Sequence, residues 1–156
     1  MRHERIRDRA QLLDSIVRTY KKARGGKYFP HRVVEQVMPI LFPRSRKIGR
    51  GAFKTVYRVE SPARFVALKV TASKHVRRDR KLYEGIPVGV RNRYFAKIYW
   101  YTKYCLLQKY GREVNVPKNV LKRLQERGRR FGLSDVRRDN IRRVEGHFKI
   151  VDANPR

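Results

Sequence analysis

The residues with the clearest chemistry in this sequence are two glycines that stand one residue apart, Gly49 and Gly51. They belong to residues 48–57, which read IGRGAFKTVY. Glycine has no side chain, so backbone N–H groups at such a turn can approach phosphate oxygens closely. The segment continues into a predicted strand and not a helix, which excludes the dinucleotide-binding fingerprint. A Gly-x-Gly pair is also typical of an ordinary hairpin turn.

A lysine on the next predicted strand adds to this signal. Lys69 closes the run VALK at residues 66–69. An ammonium group beside a glycine-rich hairpin can reach the phosphates of a nucleotide. Its alternation with Val66, Leu68 and Val70 also fits a lysine on the edge of a sheet. The two signals together favour phosphate binding more strongly than either does alone.

Four segments of the chain, in the same order, resemble the motifs of the protein-kinase family. The glycine-rich loop G-x-G-x-x-G-x-V is matched at Gly49, Gly51 and Val56, with Lys54 at the position of the third glycine. The strand motif V-A-I-K is matched by residues 66–69.

The other two segments lie further along the chain. Residues 135–140, DVRRDN, have the D-x-x-x-x-N spacing of the kinase catalytic loop, and residues 148–152, FKIVD, resemble the strand that leads to the D-F-G aspartate. The resemblance covers about residues 47–152. It implies a kinase-like N-lobe, which is an antiparallel sheet with one inserted helix, and a reduced C-lobe made of a helix and the catalytic-loop hairpin.

The resemblance also implies roles toward ATP for the residues of the first two segments. Gly49 and Gly51 would cover the phosphates. Lys69 would contact the α- and β-phosphates and pair with an acid on the following helix, for which Glu84 is the first candidate and Asp79 the second. Lys54 would add a second cation near the triphosphate.

For the later segments, the resemblance implies the catalytic and metal-binding roles. Asp135 would accept the proton of the attacking hydroxyl, and Asn140 and Asp152 would hold Mg²⁺ through oxygen atoms. Gly111 would give the hinge its freedom. The groups that would surround the adenine base are Val56, Ala67, Leu107 as gatekeeper, the Gln108 carbonyl and the Tyr110 N–H.

The chain departs from the family pattern around both aspartates. Residues 133–135 read LSD in place of H-R-D, so control through a phosphorylated activation loop is not expected. Arg137 and Arg138 follow Asp135 and can neutralise a transferring phosphoryl group. Residues 152–154 read DAN in place of D-F-G, and the sequence stops four residues after Asp152. We therefore expect most of the C-lobe to be missing.

The composition is strongly basic. The chain has 156 residues, with 41 Lys and Arg against 13 Asp and Glu, and a net charge of +28. This imbalance favours a polyanionic partner such as nucleic acid or a ribosome, with a solvated basic surface as the alternative. The one cysteine, Cys105, excludes an intramolecular disulfide, and its apolar neighbours favour a buried thiol. No signal peptide or membrane-length apolar run is present, so we predict a cytoplasmic protein without membrane contact.

The spacing of apolar residues predicts the elements that position these groups. Ile6, Ala10, Leu13, Val17 and Tyr20 form one stripe on an N-terminal helix, which Gly25-Gly26 ends. A second helix is predicted over residues 31–38, closed by Pro39 and Pro43. The remaining predictions are strands at 55–59, 65–70, 95–100, 104–108, 141–144 and 148–151, and helices at 74–84 and 117–130. They define an α+β fold, with a helical extension over residues 1–44 and a minimal kinase-like domain over residues 45–156.

Two functions are compatible with this pattern. The first, which we favour, is an ATP- and Mg²⁺-dependent phosphotransferase. The sequence does not identify its phosphoryl acceptor, and the chain itself is one candidate. The second is a non-catalytic, kinase-like nucleotide-binding protein that docks on nucleic acid or a ribosome through its basic surface. In the second case, aromatic side chains between the basic residues would stack on bases. These aromatic residues, which also fit a sheet core, are Tyr94, Tyr99, Trp100, Tyr101 and Tyr104.

Overall fold

The computed structural model of the chain describes residues 3–26, 28–51, 54–61, 64–152 and 154–155. The chain forms two compact units. The sheet unit contains the residues up to Arg77 together with Ile98–Gln108, and the hairpin unit contains Arg78–Lys97 and the residues from Lys109 onward. None of the helices in the described ranges combines the length and the apolar character that crossing a membrane requires.

Two helices open the sheet unit. Helix α1 spans Glu4–Ala23, and it buries Ile6, Ala10, Leu13 and Val17 as the stripe predicts. The two glycines after it take positive φ angles of 78° and 75°, which end the helix. Helix α2 spans His31–Leu41 and continues through Pro39, where the sequence predicted its end. Proline removes only one hydrogen bond in the last turn, and the Phe42 N–H still donates to the Met38 carbonyl at 2.7 Å.

A five-stranded antiparallel sheet, as far as the described residues define it, completes the sheet unit. The strands are β1 (Arg46–Arg50), β2 (Lys54–Glu60), β3 (Phe65–Thr71), β4 (Ile98–Tyr101) and β5 (Cys105–Lys109). Their order across the sheet is β1-β2-β3-β5-β4, so β3 lies in the middle. Helix α3 (Ser73–Gly85) is inserted between β3 and β4 along the chain. The predicted α+β class and the antiparallel sheet are therefore confirmed, whereas two helices and not one lie between β3 and β4 along the chain.

The two helices cover one face of this sheet. Tyr57 and Leu68 from the sheet pack in the same apolar cluster as Leu13 of α1 and Met38 of α2. Cys105 belongs to this cluster and is fully buried. Burial raises the pKa of its thiol well above the ordinary value, so the predicted buried and unreactive cysteine is confirmed.

The hairpin unit contains helices α4 (Val88–Tyr94) and α5 (Lys118–Arg130). Strand β7 (Ile141–Val144) pairs with β8 (His147–Ile150), and the two residues between them both have positive φ, as a tight hairpin turn of this kind requires. Two further strands of two residues each, β6 (Leu133–Ser134) and β9 (Asn154–Pro155), pair with each other. The core of this unit is formed by Ile86, Phe95, Val116, Val120, Leu124, Leu133, Val136, Ile141 and Ile150.

The structure differs from the sequence predictions in two ways between residues 86 and 100. Helix α4 was not predicted, because Pro87 and Gly89 are typical of a loop. Pro87 instead caps the start of the helix, where its missing N–H costs nothing. The strand predicted over residues 95–100 begins only at Ile98, and Phe95 makes an isolated bridge to Ile150.

Candidate functional site

The glycine-rich segment forms the hairpin between β1 and β2. Gly49 lies opposite Val56, and the Gly51 N–H donates to the Lys54 carbonyl at 2.8 Å. Neither glycine has a positive φ. A Cβ atom added to Gly49 would come no closer than 3.7 Å to any described neighbour, and one added to Gly51 no closer than 3.9 Å. The contacts of the described residues therefore do not require glycine at either position, and they leave room for a ligand beside this backbone.

The candidate residues of β2 and β3 share one face of the sheet. Val56 lies directly opposite Lys69, and Lys54 lies opposite Thr71. Directly opposed residues of antiparallel strands project to the same face, and Ala67 joins them because it stands two residues before Lys69. Their face is the one opposite to the helix-covered core. Five of the predicted positions, Gly49, Lys54, Val56, Ala67 and Lys69, thus lie on one face of the sheet unit.

Lys69 is a buried lysine on the central strand. Only 5% of its surface is exposed, and β3 lies between β2 and β5. The alternative of a lysine on the sheet edge is therefore wrong. A charge withdrawn from water must be compensated by opposite charge or hydrogen bonds, which makes this position costly unless it serves a purpose.

The fold does not place Leu107 on the face of the sheet where the adenine base was predicted to bind. Leu107 is fully buried in the cluster on the helix-covered face, together with Cys105. Because side chains alternate along a strand, Leu106 and Gln108 project to the face that carries Lys69. Gln108 is a buried polar residue, 4% exposed, and it was predicted only through its backbone carbonyl. Leu106 and Leu107 are both apolar, so either one could face the helix-covered core while the other faces the opposite side of the sheet. The sequence therefore does not show which of the two is the core residue.

Helix α3 carries the two acids predicted as partners of the strand lysine. Glu84 accepts a hydrogen bond from Arg80 at 3.0 Å, one turn earlier, and 54% of its side chain is exposed. Asp79 is 9% exposed. The acid of α3 that is withdrawn from water is therefore Asp79, the second of the two candidates, and Glu84 is an exposed member of a helical ion pair.

Asp135 stands in the loop of the hairpin unit that follows β6. Its φ is +62°, a left-handed conformation that aspartate and asparagine adopt more readily than other residues with a side chain. A short 3₁₀ helix, Arg138–Asn140, ends the same loop. The Asn140 Nδ2 donates to the Asp135 backbone carbonyl at 2.8 Å, so the loop is closed between these two residues.

Asn140 is also connected to the segment that carries Asp152. The Val151 N–H donates to the Asn140 carbonyl at 2.9 Å, and the next pair along the ladder is Ile141 with Ile150. The hairpin of β7 and β8 therefore brings the ends of the loop and of β8 side by side. Asp152 follows β8 and is half-buried.

These two residues fit what a magnesium ion bound with a nucleotide requires of a protein. Mg²⁺ is usually held by one or two protein oxygen ligands, with phosphates and water completing the shell. The hydrogen bond from Asn140 uses the nitrogen of its amide, which leaves Oδ1 as the oxygen for a cation. No group of three or more His, Cys, Asp or Glu side chains in the described ranges forms a metal cage of protein ligands alone.

The two arginines of the loop have different environments. The Arg137 Nε lies 2.8 Å from Asp135 Oδ1 and 3.6 Å from Asp139 Oδ1. The Arg138 Nε instead donates to the backbone carbonyl of Val116 at 3.2 Å. Arg137 is thus the arginine beside the predicted base, whereas Arg138 anchors the loop to the segment before α5.

Gly111 does not give the chain a free hinge. A Cβ atom at this position would lie 2.5 Å from Arg142 Cβ and 2.8 Å from Val144 Cγ2. The next residue, Arg112, exchanges both backbone hydrogen bonds with Arg143, at 3.1 and 3.0 Å. The glycine is therefore needed for close packing against β7. Tyr110, which precedes it, is half-buried.

The predicted site residues fall into two sets, one in each unit. The sheet unit holds Gly49, Gly51, Lys54, Val56, Ala67, Lys69, Leu107 and Gln108, and the hairpin unit holds Glu84, Tyr110, Asp135, Asn140 and Asp152. Comparison with the models of known protein families found no match, and comparison with curated proteins found none either.

Proposed function

We propose that this chain is an ATP- and Mg²⁺-dependent phosphotransferase of the protein-kinase-like type. The observation that carries the proposal is the closed loop of the hairpin unit. Asp135 has a left-handed backbone conformation, and its carbonyl accepts a hydrogen bond from Asn140. The Asn140 carbonyl in turn accepts a hydrogen bond from the residue before Asp152. A base, an amide oxygen and a second carboxylate within one hydrogen-bonded framework are the groups that this chemistry needs from a protein.

The transfer step follows from the chemistry of these groups. The oxygen of the acceptor hydroxyl forms a bond to the γ-phosphorus of ATP, and the bond from that phosphorus to the β–γ bridging oxygen breaks. The electron pair leaves with ADP, and the hydroxyl proton goes to a carboxylate oxygen of Asp135. Arg137, beside that carboxylate, orients it and adds positive charge where negative charge develops.

Asn140 and Asp152 are the residues that would hold the metal ion. A bound Mg²⁺ neutralises the charge of the phosphates and orients them. The part of the chain itself is to fix the ligand oxygens, and the hydrogen bonds of Asn140 do this on both its side chain and its backbone.

The sheet unit supports the binding part of the proposal. Its hairpin has two glycines for which the described fold has no steric need, and the same face of the sheet carries a buried lysine. Backbone N–H groups and an ammonium group are the usual means of binding a polyphosphate. In this proposal the hairpin backbone and Lys69 of the sheet unit bind the triphosphate.

Calorimetric titration with ATP, with and without Mg²⁺, tests the proposal. We expect Mg²⁺ to tighten ATP binding by the wild-type chain. Lys69→Met will weaken binding about tenfold in both conditions, the effect of removing one charge-assisted hydrogen bond. Asp152→Asn will remove the gain from Mg²⁺ and leave metal-free binding almost unchanged.

Two exposed positions provide matched controls for this titration. Lys74→Met and Asp8→Asn make the same chemical changes on the surfaces of α3 and α1. Both are expected to bind ATP like the wild type. The proposal fails if the wild-type chain does not bind ATP, or if Lys69→Met and Lys74→Met weaken binding equally.

The second candidate function, docking on nucleic acid, is favoured by the exposed surface of α5. This helix buries only Val120, Leu124 and Gly128. Its exposed basic residues are Lys118, Lys122, Arg123, Arg127, Arg129 and Arg130, against a single acid, Glu126. Of the aromatic residues predicted to stack on bases, Tyr104 is 3% exposed and is not accessible for stacking.

The salt dependence of RNA binding tests this second function. If α5 contacts phosphates, log K will fall linearly with log salt concentration. Replacing Lys122 and Arg127 by Gln will then reduce that slope by about 0.7 for each phosphate that is no longer neutralised. Fluorescence anisotropy of a labelled single-stranded RNA gives the slope. An unchanged slope in the double variant would exclude α5 as the docking surface.

A further inference from the structure

A shallow cavity of about 400 Å³ lies beside Asp135 within the hairpin unit. This volume is in the range of sites for small ligands. Its principal lining residues are Gln125, Arg129, Leu133, Asp135, Val136 and Arg137. The cavity thus combines the proposed base with two guanidinium groups, one amide and two apolar side chains.

The polar groups of this cavity are held in place by hydrogen bonds. The Gln125 Nε2 donates to the Val136 carbonyl at 3.0 Å. The Arg129 Nε lies 3.5 Å from the Gln125 carbonyl, which directs the side chain back along α5. Arg137 is held by Asp135 at 2.8 Å. These contacts place Gln125, Arg129 and Arg137 around the cavity.

The charged groups of this cavity favour an anionic ligand. Arg137 is paired with Asp135 and also lies 3.6 Å from Asp139. No acidic side chain in the described part of the chain forms an ion pair with Arg129. A planar guanidinium matches the oxygens of a phosphate through two parallel hydrogen bonds. A phosphate monoester carries close to two negative charges at pH 7, so the charge of Arg129, which no described acid neutralises, favours this ligand.

We infer that the acceptor is a small hydroxyl compound that carries a phosphate group, whose phosphate binds Arg129 and Arg137 while its hydroxyl faces Asp135. The inference rests on the proposed phosphotransferase function for the role of Asp135. It goes beyond that function, because it names the chemical class of the acceptor and assigns its binding to Arg129, which the motifs did not single out.

Binding of ribose 5-phosphate in the absence of ATP tests the site apart from any catalysis. Calorimetry of the full chain will detect ribose 5-phosphate and not ribose. Arg129→Gln will weaken that binding about tenfold. Arg32→Gln, which removes an equal charge from the exposed surface of α2, will change it by less than about twofold. Equal weakening in both variants would mean that the net charge alone attracts phosphate, and the inference would be wrong.

Transfer of label from γ-labelled ATP then separates the two claims. We expect ribose 5-phosphate to be labelled at least about tenfold faster than ribose, and Arg129→Gln to remove that preference. Faster labelling of ribose or of a basic peptide, unaffected by Arg129→Gln, would overturn the acceptor inference and leave the phosphotransferase function standing. Binding of ribose 5-phosphate that depends on Arg129, without transfer to any acceptor, would overturn the phosphotransferase function.

Discussion

Replacing Asp135 by Asn will lower phosphoryl transfer by about 10²- to 10⁴-fold, the range that a general base contributes. Asparagine keeps the shape of the side chain but cannot accept the proton of the acceptor hydroxyl. It also tolerates the left-handed backbone of this position, where φ is +62°, better than alanine does. The bond from Asn140 goes to the backbone carbonyl of residue 135, so it survives the substitution.

The folded state will be affected far less than the transfer rate. The substitution weakens the ion pair with Arg137, whose side chain is 63% exposed, and such a pair contributes at most about 1 kcal/mol. Transfer is measured with γ-labelled ATP, and ATP affinity is measured on the same samples.

Asp139→Asn is the matched control for this experiment. It removes the same charge from the same loop, and its side chain is 69% exposed and also faces Arg137. We expect its transfer rate to stay within about twofold of the wild type. If Asp135→Asn and Asp139→Asn gave equal rates, Asp135 would not be the base.

The features of the fold that could be predicted are those with a local period. The stripe of α1 repeats every three to four residues, and the buried positions Ile6, Ala10, Leu13 and Val17 are those it predicts. Strands β2 and β3 were likewise found close to their predicted bounds, because alternation and β-branched residues mark them. The spacing of the motif predicted the loop between Asp135 and Asn140. It could not predict the hydrogen bond that joins the two residues.

The features that could not be predicted depend on contacts between distant residues. The pairing of β6 with β9 involves two residues on each side, too few for any periodic pattern. The choice between Leu106 and Leu107 as the core residue depends on which helices cover the sheet. The sequence ranked Glu84 before Asp79 as the partner of the strand lysine, and only the burial of Asp79 in the folded chain reverses that order.

Gly111→Ala will lower the free energy of unfolding by about 3 kcal/mol, the upper end of the usual cost of overpacking. The new Cβ would lie 2.5 Å from Arg142 Cβ and 2.8 Å from Val144 Cγ2. Arg142 Cβ is attached directly to the backbone of β7 and cannot rotate away. The two hydrogen bonds between Arg112 and Arg143 hold that backbone against the segment that contains Gly111. Denaturant unfolding of the full chain measures the effect.

Alanine at Gly51 should instead leave the free energy of unfolding almost unchanged and weaken ATP binding. An added Cβ meets nothing closer than 3.9 Å in the described fold, so stability will change by less than about 0.5 kcal/mol. If phosphates approach this backbone, the methyl group will instead weaken ATP binding about tenfold. Gly89→Ala, in the first turn of α4 with nothing within 4 Å, is the control, and it will change stability by less than about 0.5 kcal/mol without changing ATP affinity. If ATP affinity is unchanged in Gly51→Ala, phosphates do not approach this backbone, and Gly51 is part of an ordinary turn.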